Sequence, residues 1–451
     1  MIEVFCDRFG ICDAVRGAAL RAFDRVSSVR YDAQSQVKAN IFAAFLEEGV
    51  AEHDLAGSTG YGYDDAARER YESLLARIFG AQRVLARLSF VSGTHAIVAA
   101  LAACVPAGKM LLSITGRPYD TLRNAITQAP HNLVEEGRAY REVELRVAST
   151  GSAVLRSAQD DKVLPHADDA SLRRADNASL RHADNASIFD FDAIERELKD
   201  PDVVAVFVQR SRGYAPRPSV NIAQCEAVFA RIKALRPDVA ILVDNCYGEL
   251  VEAREPTHAG ADLVMGSLIK NLGGTLAPAG GYVAGRADLV ERVAARLYAP
   301  GLGDALGPTL GFGRAFIQGL FLAPLIVEQT LRGLDFAAAL FDDLGYAVDP
   351  MPGELRTDIV QAIRLGSIEK LKCFAQALQT AMPINARFRP EPGHVPGYVD
   401  PVIMSSGAFI GGATIELSCD APLREPYEVY LQGGMIAEHA MLGAMLAAQG
   451  L

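Results

Sequence analysis

Short apolar runs recur along the chain as far as residue 284, and they leave few folds open to it. The run VVAVFV at 203–208 is apolar at every position, so both faces of a strand formed there must be covered. Helix-like stretches separate the runs, which is typical of a parallel sheet between two layers of helices. The predicted strands are 84–91, 110–115, 203–208, 240–243, 263–265 and 281–284. The sequence therefore predicts an α/β protein whose main domain has three α/β/α layers and a mainly parallel sheet.

The pattern changes after residue 305, where longer apolar helical stretches lead into a Gly- and Pro-rich region at 389–435. A chain of 451 residues has room for about three domains, or for one large domain and a small one. We predict an N-terminal helical segment at 1–50, a large domain at 51–305 and a smaller C-terminal α+β domain at 306–451.

Residues 166–189 differ from the rest of the chain. They read HADDASLR, RADNASLR and HADNASIF, three near-copies of one polar eight-residue unit. Such a unit has too few apolar positions to build a core, and it is shorter than the repeats of solenoid proteins. We predict a disordered surface insertion within the large domain.

Charge and cysteine content exclude several classes of protein. With 44 basic and 55 acidic residues the net charge is −11, which disfavours binding to nucleic acids and to anionic membranes. Glu3 and Asp7 lie where a signal peptide would be basic and then apolar, and the apolar run 315–327 is too short to span a bilayer. Seven scattered cysteines without a CxxC pair indicate neither a zinc ribbon nor a thioredoxin-like site. We expect a soluble cytoplasmic protein.

Two ionisable residues follow neighbouring predicted strands. Asp244 ends the run ILVD, and Lys270 comes shortly after the next strand, in GSLIK. The carboxyl ends of parallel strands meet at one edge of a sheet, where α/β proteins bind ligands. A lysine amine can form an imine with an aldehyde, and a carboxylate can keep a pyridine nitrogen protonated. This pair therefore predicts a pyridoxal phosphate site.

A phosphate site is predicted beside that pair. Ser92, Gly93 and Thr94 lie between a strand and an Ala-rich helix, so the N–H groups of a helix start and a hydroxyl are available to an anion. Ser267 can add a second hydroxyl, and Tyr119 can place its ring against the pyridine. Each of these residues also has a purely structural interpretation, as a helix cap or a packing residue.

Other candidate sites are weaker. The chain has no GxxxxGK[ST], HExxH or EF-hand motif, and GLGDALG at 301–307 lacks the spacing and the preceding strand of a dinucleotide fingerprint. Cys246 is interpreted as a small buried side chain rather than a nucleophile. His95 is interpreted as a residue on a helix face rather than a base.

The segments SGTHAI, GRPYDTL, VDNCYGELVE and GSLIKNLGG, taken in this order, resemble the pyridoxal-phosphate enzymes of aminotransferase fold type I. Within them the chain is similar to the cysteine/methionine-metabolism group, and most of all to the branch called methionine gamma-lyase-like or aluminium-resistance proteins. The resemblance covers nearly the whole chain except the repeat insertion. Further matching segments are GYGYDD at 60–65, QRSRGY at 209–214, TDIVQAI at 357–363, PGHVPGYVDPVIMSSGAF at 392–409 and IELSCDAPLREPYEVYLQGG at 415–434.

The resemblance implies a role for each matched residue. Lys270 would form the internal aldimine, Asp244 would contact the pyridine nitrogen and Tyr119 would stack on the ring. The phosphate would be held by Gly93, Thr94 and Ser267.

The resemblance also implies contacts with the substrate and between subunits. Tyr61 or Tyr63 of GYGYDD resembles a tyrosine that reaches the cofactor of a neighbouring subunit, so we expect a homodimer or homotetramer with shared active sites. The segment lacks the arginine that the wider group has near this tyrosine. Arg424 is the candidate for the substrate carboxylate, because a guanidinium binds a carboxylate with two hydrogen bonds.

The implied activity is a carbon–sulfur lyase that acts on a sulfur-containing amino acid of the cystathionine, cysteine or methionine type by β- or γ-elimination. One alternative is a catalytically silent or regulatory protein that binds pyridoxal phosphate. A remote alternative is an acyl-serine hydrolase, because Ser267 and Lys270 have SxxK spacing; the S-D-N and K-T-G companions of that motif are missing.

Overall fold

The computed structural model describes residues 1–146 and 188–451. The predicted insertion at 166–189 therefore lies, except for its last two residues, outside the described residues. The predicted domain limits are not tested by any comparison and stay a prediction.

Four helices precede the first strand: α1 (Ile2–Phe9), α2 (Asp13–Val26), α3 (Asp32–Glu48) and α4 (Ala66–Phe79). Helix α4 begins at a cap, because the Asp65 carboxylate accepts the backbone N–H of Arg68 at 2.9 Å. Helices α1, α3 and α4 each end at a glycine in the left-handed conformation.

The large sheet has seven strands in the order β1-β7-β6-β5-β4-β2-β3. Strands β6, β5, β4, β2 and β3 are parallel to one another, and β7 runs antiparallel between β1 and β6. The prediction of a mainly parallel sheet is therefore confirmed. The strands are β1 (Arg83–Arg87), β2 (Met110–Ser113), β3 (Ala139–Glu142), β4 (Val203–Gln209), β5 (Ala240–Asp244), β6 (Leu263–Ser267) and β7 (Gly281–Gly285).

Two separate apolar clusters explain why the strands are apolar at every position. Along β4, Val206 and Val208 belong to one cluster, whereas Ala205 and Phe207 belong to the other. Both faces of the sheet are thus covered, as a parallel sheet requires. The connecting helices are α5 (Gly93–Cys104), α6 (Asp120–Thr127), α7 (Phe191–Glu197), α8 (Ile222–Leu235) and α9 (Ala287–Leu297).

The C-terminal part contains a second, antiparallel sheet in the order β10-β11-β12-β9-β8. It follows a helix of 31 residues, α10, which contains the predicted apolar run 315–327. None of the helices in the described part of the chain is long and apolar enough to cross a bilayer. The elements are α10 (Gly313–Asp343), β8 (Ala347–Asp349), β9 (Val360–Arg364), α11 (Ile368–Gln379), β10 (Val402–Ser406), β11 (Ser418–Pro422), β12 (Glu428–Gln432) and α12 (Ala437–Gln449).

Candidate active site

Asp244 lies at the carboxyl end of β5, and Lys270 follows the end of the neighbouring strand β6. In the parallel pair Asp244 is opposite Met265, so both strands end at the same edge of the sheet. The Asp244 side chain is 2% exposed and accepts the backbone N–H of Cys246 at 3.0 Å. Burial raises the pKa of Asp244, while the Cys246 hydrogen bonds and the charge of Lys270 oppose that rise.

Lys270 is held over the ring of Tyr247, with its Nζ 3.6 Å from the ring centroid. The next residue fixes this arrangement, because Asn271 Nδ2 donates to the carbonyl oxygens of Tyr247 at 3.0 Å and Glu249 at 2.8 Å. Burial by itself lowers the pKa of Lys270, but Tyr247, Cys246 and Asp244 together raise it above its ordinary value. The side chain is therefore an ammonium ion whose position is set by a cation–π contact.

The start of α5 abuts the end of β6. Ser92 caps the helix by accepting the backbone N–H of His95 at 3.1 Å. A Cβ atom added to Gly93 would lie 3.0 Å from Cβ of Ser267, so glycine allows this approach without displacing Ser267. The first N–H groups of a helix have no partner within the helix, which makes this end suitable for an anion. Gly93, Thr94 and Ser267 therefore lie together, as the prediction of a phosphate site requires.

Tyr119 contacts both the helix start at Thr94 and Gln209, which lies opposite Asp244 in the sheet. Its hydroxyl shares a hydrogen bond of 2.9 Å with Thr94 Oγ1, and its backbone N–H donates to Gln209 Oε1 at 2.9 Å. Burial raises the pKa of Tyr119 well above its ordinary value, and the charge of Asp244 adds to this rise. The structure thus gathers Lys270, Asp244, Tyr119, Gly93, Thr94 and Ser267 at one edge of the large sheet.

Tyr61 and Tyr63 lie on the surface, 74% and 56% exposed, with ring centroids 5.8 Å apart. Their loop is anchored by Asp65, which accepts hydrogen bonds from Ser58 and Thr309. Burial opposes the ionised form of Asp65, but these hydrogen bonds lower its pKa to about 2. The role of either tyrosine in a neighbouring subunit stays a prediction.

Arg424 already has partners within the chain. It donates to Asp400 Oδ2 at 3.1 Å and to the Tyr214 carbonyl oxygen at 3.1 Å, and its Nη1 is 3.6 Å from Asp120 Oδ2. It lines a cleft of about 220 Å³ together with Tyr119 and Tyr214. Its binding of a substrate carboxylate stays a prediction.

Two residues interpreted as structural have surroundings that fit this interpretation. Cys246 is buried, and burial raises the pKa of its thiol well above the ordinary value, so the reactive thiolate is disfavoured. His95 packs edge-on against Phe90, and its Nδ1 accepts the backbone N–H of Val91 at 3.3 Å.

Sequence reasoning missed two residues near Lys270. Tyr247 follows Asp244 closely in the chain, yet nothing in the pattern shows that its ring contacts the Lys270 amine. Asp420 on β11 is far from Tyr247 in sequence. Burial raises the pKa of Tyr247 and the charge of Asp420 nevertheless adds to this rise, so the two residues lie near each other in the structure. Only the packing of the second sheet against the first brings it there.

The donor set fits pyridoxal phosphate. A lysine amine and a buried carboxylate share one sheet edge. The helix start beside them begins with Gly93, which has no side chain to occupy the space for a phosphate. The hydroxyl of Ser267 has no hydrogen bond to Lys270 Nζ among the described residues, so the geometry does not support the acyl-serine alternative. Within residues 1–146 and 188–451 no group of His, Cys, Asp and Glu could hold a metal ion.

Known proteins resemble this chain over most of its length. The chain is 38% identical over 403 residues to the uncharacterized protein YnbB of Bacillus subtilis, a match covering 88% of this chain and 86% of YnbB. A carbon-sulfur lyase involved in aluminum resistance from Clostridium novyi has a TM-score of 0.85 at 35% identity, covering 99% of this chain and 98% of that one.

More distant structures share the fold. The pyridoxal-5'-phosphate dependent protein YhfS of Escherichia coli has a TM-score of 0.56 at 18% identity, covering 93% of this chain and 98% of that chain. The family profile described as methionine gamma-lyase matches residues 15–163 and 175–451, leaving out part of the repeat segment. The chain therefore belongs to the methionine gamma-lyase family and has the fold of the fold-type-I pyridoxal-phosphate enzymes.

Proposed function

We propose that this protein is a pyridoxal-phosphate-dependent carbon–sulfur lyase that acts on a sulfur-containing amino acid by β- or γ-elimination. The observation that carries the proposal is the convergence of the Lys270 amine and the Asp244 carboxylate at the ends of adjacent parallel strands. Bound pyridoxal phosphate would supply an electron sink for bonds at the substrate's Cα.

Asp244 would hold a proton at the pyridine nitrogen. Its carboxylate is buried beneath the sheet edge and is fixed by the N–H of Cys246, so it cannot turn away to water. An ion pair in such surroundings is stronger than in solution, which favours a protonated ring.

Lys270 would move the proton at Cα. The amine lies over the Tyr247 ring and can leave this contact without breaking a hydrogen bond to a carboxylate, since no ion pair of Lys270 exists in the described part of the chain. As a free base the same nitrogen could take the Cα proton and later deliver it elsewhere on the substrate.

Thr94, Gly93 and Ser267 would fix the phosphate, and Tyr119 would bind against the ring. The hydrogen bond between Thr94 and Tyr119 places the tyrosine ring next to the helix start, so the ring contact and the phosphate contact would lie side by side. A phosphate held there orients the rest of the cofactor towards Lys270 and Asp244.

The cofactor assignment is tested by absorbance. Purified protein incubated with pyridoxal phosphate should turn yellow, and borohydride should bleach it and leave the cofactor attached to the peptide that contains Lys270. Lys270→Ala should abolish the attachment, whereas Lys109→Ala, which changes a surface lysine paired with Asp202, should not. A colourless protein that takes up no pyridoxal phosphate would contradict the proposal.

The lyase assignment is tested by release of keto acid and thiol or sulfide from cystathionine, cysteine and methionine. We expect at least one of them to react, and Lys270→Ala to abolish the reaction. Cofactor attachment without keto acid from any of them would favour the catalytically silent alternative.

A further inference from the structure

The second sheet has two chemically different faces. Ile363, Val429 and Leu431 point to one side, into the large apolar cluster that includes residues of α10, α11 and α12. The intervening residues Val360, Ala362 and Tyr430 point to the other side and form a small cluster with Tyr214 and Tyr247. Since the Lys270 amine lies over the Tyr247 ring, this second face is turned towards the candidate active site.

Asp420 belongs to that face. In the antiparallel sheet it lies directly opposite Tyr430, which lies opposite Ala362. Residues directly opposite each other in antiparallel strands point to the same face. Met404 on β10 and Asp349 on β8 complete this row. Asp349 is paired with Arg212 at 2.8 Å, whereas Asp420 has no ion pair among the described residues.

The surroundings of Asp420 supply hydrogen bonds but no cation in ion-pair contact among the described residues. Gln432 Nε2 donates to its Oδ2 at 3.0 Å. Tyr214 stacks between Tyr430 and Tyr398, with centroid distances of 5.4 and 5.7 Å, and closes the site around the carboxylate. No arginine or lysine of the described residues forms an ion pair with Asp420, which remains partly accessible. A partly desolvated carboxylate without a cation is costly unless a ligand provides one.

Other carboxylates around the site have an arginine partner. Asp120 and Asp400 lie next to Arg424, and Glu428 pairs with Arg364 at 2.9 Å. Burial raises the pKa of Asp420, but hydrogen bonds from Tyr214 and Gln432 and the charge of Lys270 favour the ionised form. Unlike Asp120, Asp400 and Glu428, Asp420 has no arginine partner in the described part of the chain and is available to a cation.

We propose that Asp420, with Tyr214 and Tyr398, forms a subsite for a distal ammonium group on the part of the substrate that leaves. This inference rests on the proposed function and makes it more specific. It names as substrates amino acids whose side chain carries a second ammonium group beyond the sulfur, and it disfavours methionine, whose side chain ends in a methyl group.

Binding is tested first, with amino acids that contain no sulfur to eliminate. L-Lysine and L-norleucine have similar length, but only lysine has a distal ammonium. We expect the holoenzyme to bind lysine about 10- to 100-fold more tightly in calorimetric titrations, since hydrogen bonds to charged groups contribute about 1.5–3 kcal/mol. Asp420→Asn should remove this preference, and Glu369→Gln, which removes an exposed charge at the start of α11, should keep it.

Turnover is tested with three thioethers that share a cysteine half: L-cystathionine, S-(3-aminopropyl)-L-cysteine and S-(3-carboxypropyl)-L-cysteine. In Asp420→Asn we expect kcat/KM to fall about 10- to 100-fold for the two that carry the distal ammonium and less than about 3-fold for the third.

Three outcomes would overturn the inference: no preference of the wild-type protein for lysine, an unchanged preference in Asp420→Asn, or an equal loss for all three thioethers. Failure of the proposed lyase function gives a different result, with no keto acid from any thioether. In that case the wild-type protein's preference for lysine over norleucine still shows whether the subsite exists. This measurement needs no variant and does not depend on the folding of one.

Discussion

Asp244 and Glu249 are two buried carboxyl groups that the charge of Lys270 reaches, and their surroundings differ. Asp244 accepts the backbone N–H of Cys246, and Glu249 Oε1 accepts the hydroxyl of Tyr282 at 3.1 Å. Within the described residues Glu249 Oε2 has no hydrogen-bond partner. Burial, followed by the nearby charge of Glu255, raises the pKa of Glu249 to about 8. The folded protein therefore holds a proton on Glu249 at neutral pH, where an exposed glutamate has lost it.

Glu249 makes stability depend on pH. Its pKa is higher in the folded than in the unfolded state, so the folded state binds more protons between about pH 4.5 and pH 8, and stability falls as pH rises through that range. We expect the free energy of unfolding to fall less with rising pH in Glu249→Gln than in the wild type, by on the order of 2–4 kcal/mol. Urea unfolding at about pH 5.5, 7 and 8.5 measures it, with the exposed Glu291→Gln as the control. Parallel pH profiles for wild type and Glu249→Gln would contradict the assignment.

Asp244→Asn tests the proposed protonation of the pyridine nitrogen. The amide keeps the size of the carboxyl group and can still accept the N–H of Cys246, but it brings no negative charge. We expect keto-acid release to fall at least about 100-fold, since removing one preorganised electrostatic contact costs on the order of 3 kcal/mol in the transition state. Asp238→Asn, an exposed aspartate just before β5, is the matched control. Equal activity of both variants would show that Asp244 only stabilises the fold.

At the scale of elements, the approach of α5 to β6 depends on Gly93. A methyl group there would lie 3.0 Å from Cβ and 3.2 Å from N of Ser267, so the helix start would have to move away from the strand. We expect Gly93→Ala to weaken pyridoxal phosphate binding by about tenfold or more, because preorganised N–H groups would be displaced. Fluorescence titration with the cofactor measures this effect. Gly393→Ala is the control, because a Cβ there meets no atom within 4 Å.

The loop that carries Tyr61 and Tyr63 is held by the single carboxylate of Asp65. Five donor groups reach it: the N–H and hydroxyl groups of Ser58 and Thr309 and the N–H of Arg68. We expect Asp65→Ala to lower the free energy of unfolding by about 2–4 kcal/mol, because several buried donors lose their partner. Urea unfolding near neutral pH tests this, and the neighbouring exposed Asp64→Ala should change stability by less than about 0.5 kcal/mol.

At the scale of the whole molecule, two exposed tyrosines beside an anchored loop agree with a site shared between subunits. If Tyr63 acts in the partner's site, Lys270→Ala and Tyr63→Ala homodimers should each lose activity. A mixed dimer should regain part of it, since one of its two sites has both Lys270 and Tyr63. Co-expression with two different tags isolates the mixed dimer, and light scattering gives its mass. Absence of any recovery, or a fully active monomer, would contradict shared sites.

Much of the fold followed from local pattern. Each of the predicted apolar runs overlaps a strand, because continuous apolar runs suit a sheet covered on both faces. The first run was predicted too long: β1 ends at Arg87, and residues 88–92 turn towards the start of α5. Apolar residues in that turn pack into the core without being part of the sheet, so hydrophobicity alone does not give the end of the strand.

The sequence by itself determined the large sheet, the common sheet edge of Asp244 and Lys270, and the helix start at Gly93, because each depends on residues that closely follow a strand or begin a helix. The tertiary structure alone decided the contact of Lys270 with Tyr247, the raised pKa of Glu249 and the place of Asp420 opposite Tyr430. These depend on burial and on strand register between segments far apart in the chain. Local pattern encodes neither, since both arise only when the two sheets pack around one edge.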